Sequence, residues 1–282
     1  MLARYLLASV RTVAYLARRR PANVVVTSPP VPGALVTFLA ARSLGARVLL
    51  DSHPGSFGAQ GDRHSGRVQW LQRWLTRHVA ASLVAAPAWA EKVEAWGGRA
   101  VVVHEAPGRW SPAPHERHTR LRALYVGRFA GDEPWHQVLA AAAQLPDVDL
   151  LVTGQLEDCP EEDRAAAPPN VTFVGFLGPA DYRRAVDEAD VVVTLTTEPS
   201  SVMRAAYEAV YAGRPLVVSD WPIARELFPS AVHVANRAAD IAAGIASVGA
   251  RYAELAGEAD GARRRQLDRW DDQRRRLLEL LG

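Results

Sequence analysis

The chain has 282 residues, room for one large domain or two of ordinary size. Hydrophobic residues make up 49% and charged residues 23%, which excludes disordered, collagen-like and membrane-spanning compositions. With 33 basic against 31 acidic side chains the net charge is +2, so no strong field points to nucleic acid and partner choice rests on local sites.

Leu2, Leu6, Val10, Val13 and Leu16 recur at helical spacing, with Arg4, Arg11 and Arg18 on the opposite face, which predicts an amphipathic helix ended by Arg18-Arg19-Arg20-Pro21. The same arginines interrupt the apolar start, and no apolar run reaches the roughly eighteen residues of a spanning helix. Neither a signal peptide nor a membrane span is therefore expected, and the mature chain is expected to begin near Met1. A short buried strand Asn23 to Thr27, a helix Val31 to Leu44 capped by Gly45 and a strand Arg47 to Asp51 come next. The pattern continues with a helix Arg67 to Ala80, a strand Ser82 to Ala85, a helix Ala88 to Trp96 stopped by Gly97-Gly98, and a strand Arg99 to Val103. Lys92, the only lysine, lies in that last helix; the preference for arginine carries no functional weight.

Ala106 to Thr119 holds three prolines and no periodicity, which reads as a linker. Strands at Leu121 to Val126, Val148 to Val152, Val171 to Val174, Val191 to Leu195 and Leu216 to Val218 then alternate with helices at Trp135 to Gln144, Glu161 to Ala167, Ala180 to Ala189 and Val202 to Ala212. A charged helical tail begins near Ala238 and is expected to break near Gly257 and Gly261. Strands alternating with helices imply parallel βαβ units. The expected class is α/β, with two doubly wound parallel-sheet domains facing across a cleft, at residues 1–107 and 120–250, a linker at 108–119 and a final helix at 251–282 that crosses back to the first domain. Cys159 is the only cysteine, which excludes an internal disulfide and a thiolate metal cage and fits a reducing, cytoplasmic setting. The eight histidines show no HxxxH spacing, so each reads as a loop or surface residue and no metal is expected.

Three strand ends in the second half run into loop chemistry. Tyr125-Val126-Gly127-Arg128-Phe129 joins a strand to a glycine that permits close backbone approach and a guanidinium able to fork onto phosphate oxygens; the plain alternative is a surface arginine beside a turn. Thr194 to Glu208 passes from strand through a Thr, Ser and Pro loop into a helix that Ser200 or Ser201 can cap, and whose free N–H groups suit a diphosphate. Arg204 in the first turn opposes the helix dipole unless an anion is bound there, the alternative being a solvated side chain. Glu208, two turns in, is placed to accept both hydroxyls of a ribose.

The segment Glu198 to Phe228 resembles the donor-binding segment of retaining nucleotide-sugar glycosyltransferases of the GT-B type, built from two Rossmann-like domains. YVGRF at Tyr125 and NVTFVGFLGPADY from Asn170 to Tyr182 extend the resemblance over most of the second domain. VVVTSPP at Val24 to Pro30, LLDSHPGSF at Leu49 to Phe57 and the turn at Trp96 to Gly98 extend it more loosely over the first. It is most similar to a bacterial family 4-like subgroup associated with surface polysaccharide and glycoconjugate assembly; such proteins ordinarily begin with a strand and glycine-rich loop ahead of the first amphipathic helix, and the start of this sequence is read as a misassigned start codon, a shortened N-terminal domain or an acceptor side built otherwise.

The resemblance implies that Glu208 binds the ribose, that Gly127 and Arg128 hold the diphosphate, and that backbone around Phe176 and Leu177 holds the base. Ser200, Ser201, Val202 and Arg204 complete the donor set. It implies catalytic parts for Arg128 and for His53, which faces the donor sugar; the plain alternative is a loop histidine satisfied by Asp51. Two positions depart from the pattern: Glu133 stands near the usual lysine after the Gly-Arg pair, and Ser200 stands where a glutamate contacts the sugar. Arg204 is expected to replace the lost cation.

The implied reaction moves a sugar from a nucleoside-diphosphate sugar, a substrate and not a cofactor, to the hydroxyl of a carbohydrate or lipid-linked acceptor, with retention. The protein's main task is then to stabilise charge on the leaving diphosphate. Arg63, Arg67, Arg73, Arg77 and the basic first helix suggest peripheral contact with an anionic membrane, against the alternative of solvated faces on core helices. Two rivals stay open: a nucleotide-sugar 2-epimerase, and a degenerate nucleotide-binding partner of an active glycosyltransferase. Trp135 and Trp221 read as pocket lining or core edge.

Overall fold

A computed structural model describes residues 2–58, 66–108, 110, 112 and 115–282, the first four of these by their backbone. Arg63 and His64, and the side chain of Arg4, lie outside the described residues. The chain divides into two compact units, Met1–His104 with Trp270–Gly282, and Glu105–Arg269.

In the first unit the strands β1 (Asn23–Ser28), β2 (Arg47–Ser52), β3 (Ala81–Val84) and β4 (Ala100–Val102) pair in parallel in that order. Helix α1 (Leu2–Arg19) precedes β1, and α2 (Val31–Ser43), α3 (Gly66–His78) and α4 (Pro87–Ala95) connect the strands. The apolar runs of β2 and α2 supply most of one core, where Val48 and Leu50 meet Val31, Ala34 and Phe38. In α1 the periodic apolar residues divide unexpectedly. Leu16 is buried at 4% exposure, whereas Leu6, Val10 and Val13 are 61%, 65% and 42% exposed.

The second unit carries β5 (Leu121–Tyr125), β6 (Val148–Thr153), β7 (Val171–Gly175), β8 (Val191–Thr194), β9 (Leu216–Ser219) and β10 (Val232–Val234). Its helices are α5 (Trp135–Ala142), α6 (Glu161–Ala165), α7 (Pro179–Asp187), α8 (Arg204–Tyr211), α9 (Pro222–Leu227) and α10 (Ala238–Ala250). All strands run parallel in the order β10-β9-β8-β5-β6-β7. The β-branched runs of β8 and β9 are buried throughout, as a central strand covered on both faces requires. Trp135 lies in this core and not in a pocket wall.

The chain leaves β5 toward β6 and β7 on one side, then returns to build β8, β9 and β10 on the other. The loops following β5 and β8 consequently diverge and leave a crevice at the carboxyl edge, the place where such sheets bind ligands.

Three readings of the sequence need correction. The tail does not break at Gly257 or Gly261: α11 runs unbroken from Tyr252 to Leu281. Each glycine costs about 1 kcal/mol in a helix, and the surrounding Ala, Arg, Glu and Leu residues, anchored by buried Leu255 and Gln266 and by Leu280, outweigh that. The two short elements α9 and β10 escape the periodic pattern because a six-residue helix and a three-residue strand hold too few positions to show a period. Finally, α8 begins at Arg204 and not at Val202.

Candidate functional site

The crevice of the second unit encloses a cavity of about 920 Å³. Its walls come from four strand ends: Val126 to Ala130 after β5, Thr153 to Asp158 after β6, Phe176 to Pro179 after β7, and Arg204 and Glu208 from α8 after β8.

Close packing shapes the first wall. A Cβ on Gly127 would lie 2.6 Å from the Tyr125 ring and 2.9 Å from Glu133 Oε2, so only glycine fits. Phe129 takes a left-handed backbone, φ 59°, which is costly for a bulky residue. Its ring is buried edge-on to Trp135 at 5.5 Å and lies where a Cβ on Gly154 would intrude at 2.5 Å. Thr153 Oγ1 accepts the Gly127 N–H and donates to the Tyr125 carbonyl, both at 3.3 Å.

Glu133, which stands near the place of the expected lysine, turns inward beneath this loop. Its fully covered carboxylate accepts the Arg128 N–H at 2.6 Å through Oε2, and Arg128 Nε lies 3.4 Å from Oε1. Burial pushes its pKa above the ordinary carboxylate value, and the contacts with Arg128 offset part of that rise. Glu133 therefore acts as a strut for the Gly127-Arg128 peptide, while the Arg128 side chain stays mostly exposed along the cavity wall.

Glu208 sits on the opposite wall, only 8% exposed. Tyr182 Oη donates to its Oε2 at 2.6 Å, and Arg204 Nε donates to its Oε1 at 2.9 Å. Burial, then the Glu208 charge, push the Tyr182 pKa far up and keep its proton in place as a donor. Arg204 also lies 3.4 Å from Glu105 Oε1. Burial alone would lower its pKa, but the two carboxylates raise it, so the guanidinium stays charged. Each Glu208 oxygen retains acceptor capacity beyond its one bond. Trp110 adds an aromatic wall, edge-on to Tyr182 at 6.3 Å and with the Arg183 guanidinium 5.8 Å from its ring centre.

The structure thus brings together Gly127, Arg128, Phe176, Leu177, Arg204 and Glu208. Ser201 and Val202 line a separate small hollow with Met203 and Trp221, and Ser200 lines neither. The expected serine cap is absent: Met203 is the N-cap of α8 and makes no side-chain cap bond, because the loop runs further before the helix starts. His53 belongs to the first unit, where Nε2 lies 3.4 Å from Asp51 Oδ2, the partner its plain alternative names. Sequence reasoning missed Tyr182, Trp110 and Glu105. Tyr182 closes a motif already singled out, whereas Trp110 and Glu105 lie in a stretch without periodicity and give no signal. The histidines are not all isolated, for His115 and His118 both meet Asp190.

Residues 120–249 match the family model for glycosyl transferases group 1, and residues 1–108 match that for a glycosyl transferase 4-like domain. Among solved structures, sucrose-phosphate synthase from Thermosynechococcus elongatus is similar with a TM-score of 0.75 at 18% identity, over 95% of this chain and 74% of that one. Anabaena HepE, solved with UDP and glucose, gives 0.75 at 16% identity, over 97% and 80%. A UDP-N-acetylglucosamine 2-epimerase-like structure from Listeria monocytogenes gives 0.62 at 11% identity, over 90% and 73%. These likenesses concern the fold. A search of curated proteins found no match.

Proposed function

We propose, for a chain that belongs to the GT-B glycosyltransferases, that it transfers a sugar from a nucleoside-diphosphate sugar to a hydroxyl acceptor with retention, in the synthesis of a surface polysaccharide or glycoconjugate. The observation that carries this is Glu208: a carboxylate on the wall of a large crevice, oriented by Tyr182 and Arg204, with a tightly built Gly-Arg loop opposite. Glu208 binds the ribose hydroxyls, and the Gly127-Arg128 loop meets the diphosphate. Arg204 turns from the two carboxylates toward that diphosphate as charge develops on it. The base lies along Phe176 and Leu177. UDP is the first nucleotide to test, since HepE was solved with UDP-glucose. His53 keeps a proposed catalytic part on resemblance alone, and the acceptor is a carbohydrate or lipid-linked hydroxyl.

Calorimetric titration with UDP tests this reading against Glu208→Gln, which preserves shape and removes the charge. Loss of hydrogen bonds to a charged acceptor is worth about 1.5–3 kcal/mol, so affinity should fall roughly 10- to 100-fold. An unchanged affinity would remove the assignment.

One observation favours a second reading, a nucleotide-binding partner without turnover: Glu133, near the family's lysine, is spent beneath the loop and supplies no cation. UDP binding with neither sugar transfer nor donor hydrolysis would select it.

A further inference from the structure

A cluster that the proposed reaction does not use lies at the amino edge of the second sheet. Asp190 directly precedes β8, and its side chain is completely covered. Its Oδ2 accepts the Arg122 N–H at 2.7 Å, and its Oδ1 accepts the His118 N–H at 3.1 Å. Two imidazole nitrogens converge on the same Oδ1, His115 Nε2 at 2.9 Å and His118 Nδ1 at 3.2 Å. The three side-chain ligand atoms lie within 4.8 Å of one another. The imidazoles are 12% and 34% exposed, so the cluster has a buried acidic floor and an open front.

We propose that His115, His118 and Asp190 form a zinc-binding site that fastens the segment before β5 to the start of β8. Two imidazole nitrogens and one carboxylate oxygen are donors that zinc accepts in tetrahedral sites, at about 2.0–2.2 Å from the metal. Atoms at the corners of such a tetrahedron lie about 3.3–3.5 Å apart. His115 Nε2 and His118 Nδ1, at 2.9 and 3.2 Å from the carboxylate oxygen, need to open by only a few tenths of an ångström there. The Arg122 N–H holds Oδ2 from behind, the outer contact that keeps a ligating carboxylate oriented. The fourth corner faces solvent and takes a water. Zinc takes the lone pair of each coordinating nitrogen, so each imidazole carries its single proton on its other ring nitrogen.

The cluster and the cavity stand at opposite edges of the sheet, separated by the length of β8. Its role is therefore structural, and it stands independently of the nucleotide reading. Equilibrium dialysis of the full chain, stripped with chelator and then exposed to micromolar zinc, should return one zinc per chain, with magnesium not retained. Zinc should also raise the melting temperature in a saturable way. His115→Gln and His118→Gln should each weaken zinc binding at least about tenfold, as disturbing even outer contacts of a metal site does, while leaving UDP affinity unchanged. A wild-type chain that retains no zinc overturns the proposal, as does one whose zinc binding survives both substitutions. The wild-type stoichiometry decides the matter even where a variant folds poorly.

Discussion

Glu208 is almost covered and bonded through both oxygens, and a carboxylate in that state has its direction fixed before any ligand arrives. Arg204 holds it from one side but shares its charge with Glu105. Removing Arg204 leaves two carboxylates near one another at the proposed diphosphate position, so Arg204→Ala should lower UDP affinity about tenfold at low salt, with the difference shrinking as ionic strength rises. Titrations at two salt concentrations check this, and equal affinities for variant and wild type at low salt would dismiss the part given to Arg204. Glu133 makes a different prediction. Its folded pKa lies above the unfolded value of 4.5, so the folded chain holds its proton more tightly. Folding carries that penalty in full above the folded pKa and loses it as pH falls below 4.5. Glu133→Gln keeps an acceptor for the Arg128 N–H and removes the charge. Its melting temperature relative to wild type should therefore be higher at pH 7 than at pH 4, and a difference independent of pH would contradict the burial argument.

At the scale of elements, α1 stands out. Leu6, Val10 and Val13 are exposed on one face of α1 while Arg11 and Arg18 stand on the other, the amphipathic arrangement that lets a helix lie at an anionic bilayer surface. No helix among the described residues is long and apolar enough to cross a membrane; the contact we propose lies along the exposed face of α1. Flotation with vesicles containing anionic lipid should carry the protein upward at low salt, neutral vesicles should not, and Val10→Asp should abolish the effect; failure to float with anionic lipid ends the idea. The same helix shows what periodicity conveys and what it does not. Spacing of apolar residues announces a helix because the pattern is local, but whether the stripe meets a core depends on neighbours far along the chain. Buried β-branched strands such as β8 and β9 were legible for the opposite reason, since they must be apolar on both faces wherever they sit. The site was legible where a strand end passes into glycine, arginine or a helix start, as at Gly127, Arg128 and Glu208. It was illegible where contact is made across long separations, as between Tyr182 and Glu208 or His115 and Asp190. The serine cap failed because several polar residues in a row offer competing starts and backbone geometry alone chooses among them.

For the molecule as a whole, every residue of the large cavity lies within Glu105–Arg269. A ligand that binds only the folded state stabilises it by RT ln(1 + [L]/Kd), about 2.7 kcal/mol at one hundred times Kd. That stabilisation belongs first to the backbone segments whose opening would release the ligand. Hydrogen exchange with saturating UDP should therefore slow most at residues 126–130, 153–158, 176–183 and 204–211, which come from four separate parts of the sequence and meet only at the carboxyl edge of the sheet. The segment 115–122 at the amino edge should respond to zinc and not to UDP, because its contacts run to Asp190 and not to the crevice. Two ligands protecting two edges of one sheet would separate the nucleotide site from the metal site in a single experiment. Protection by UDP spread evenly over the chain, or centred on residues 115–122, would mean that the crevice beside Glu208 is not where the nucleotide binds.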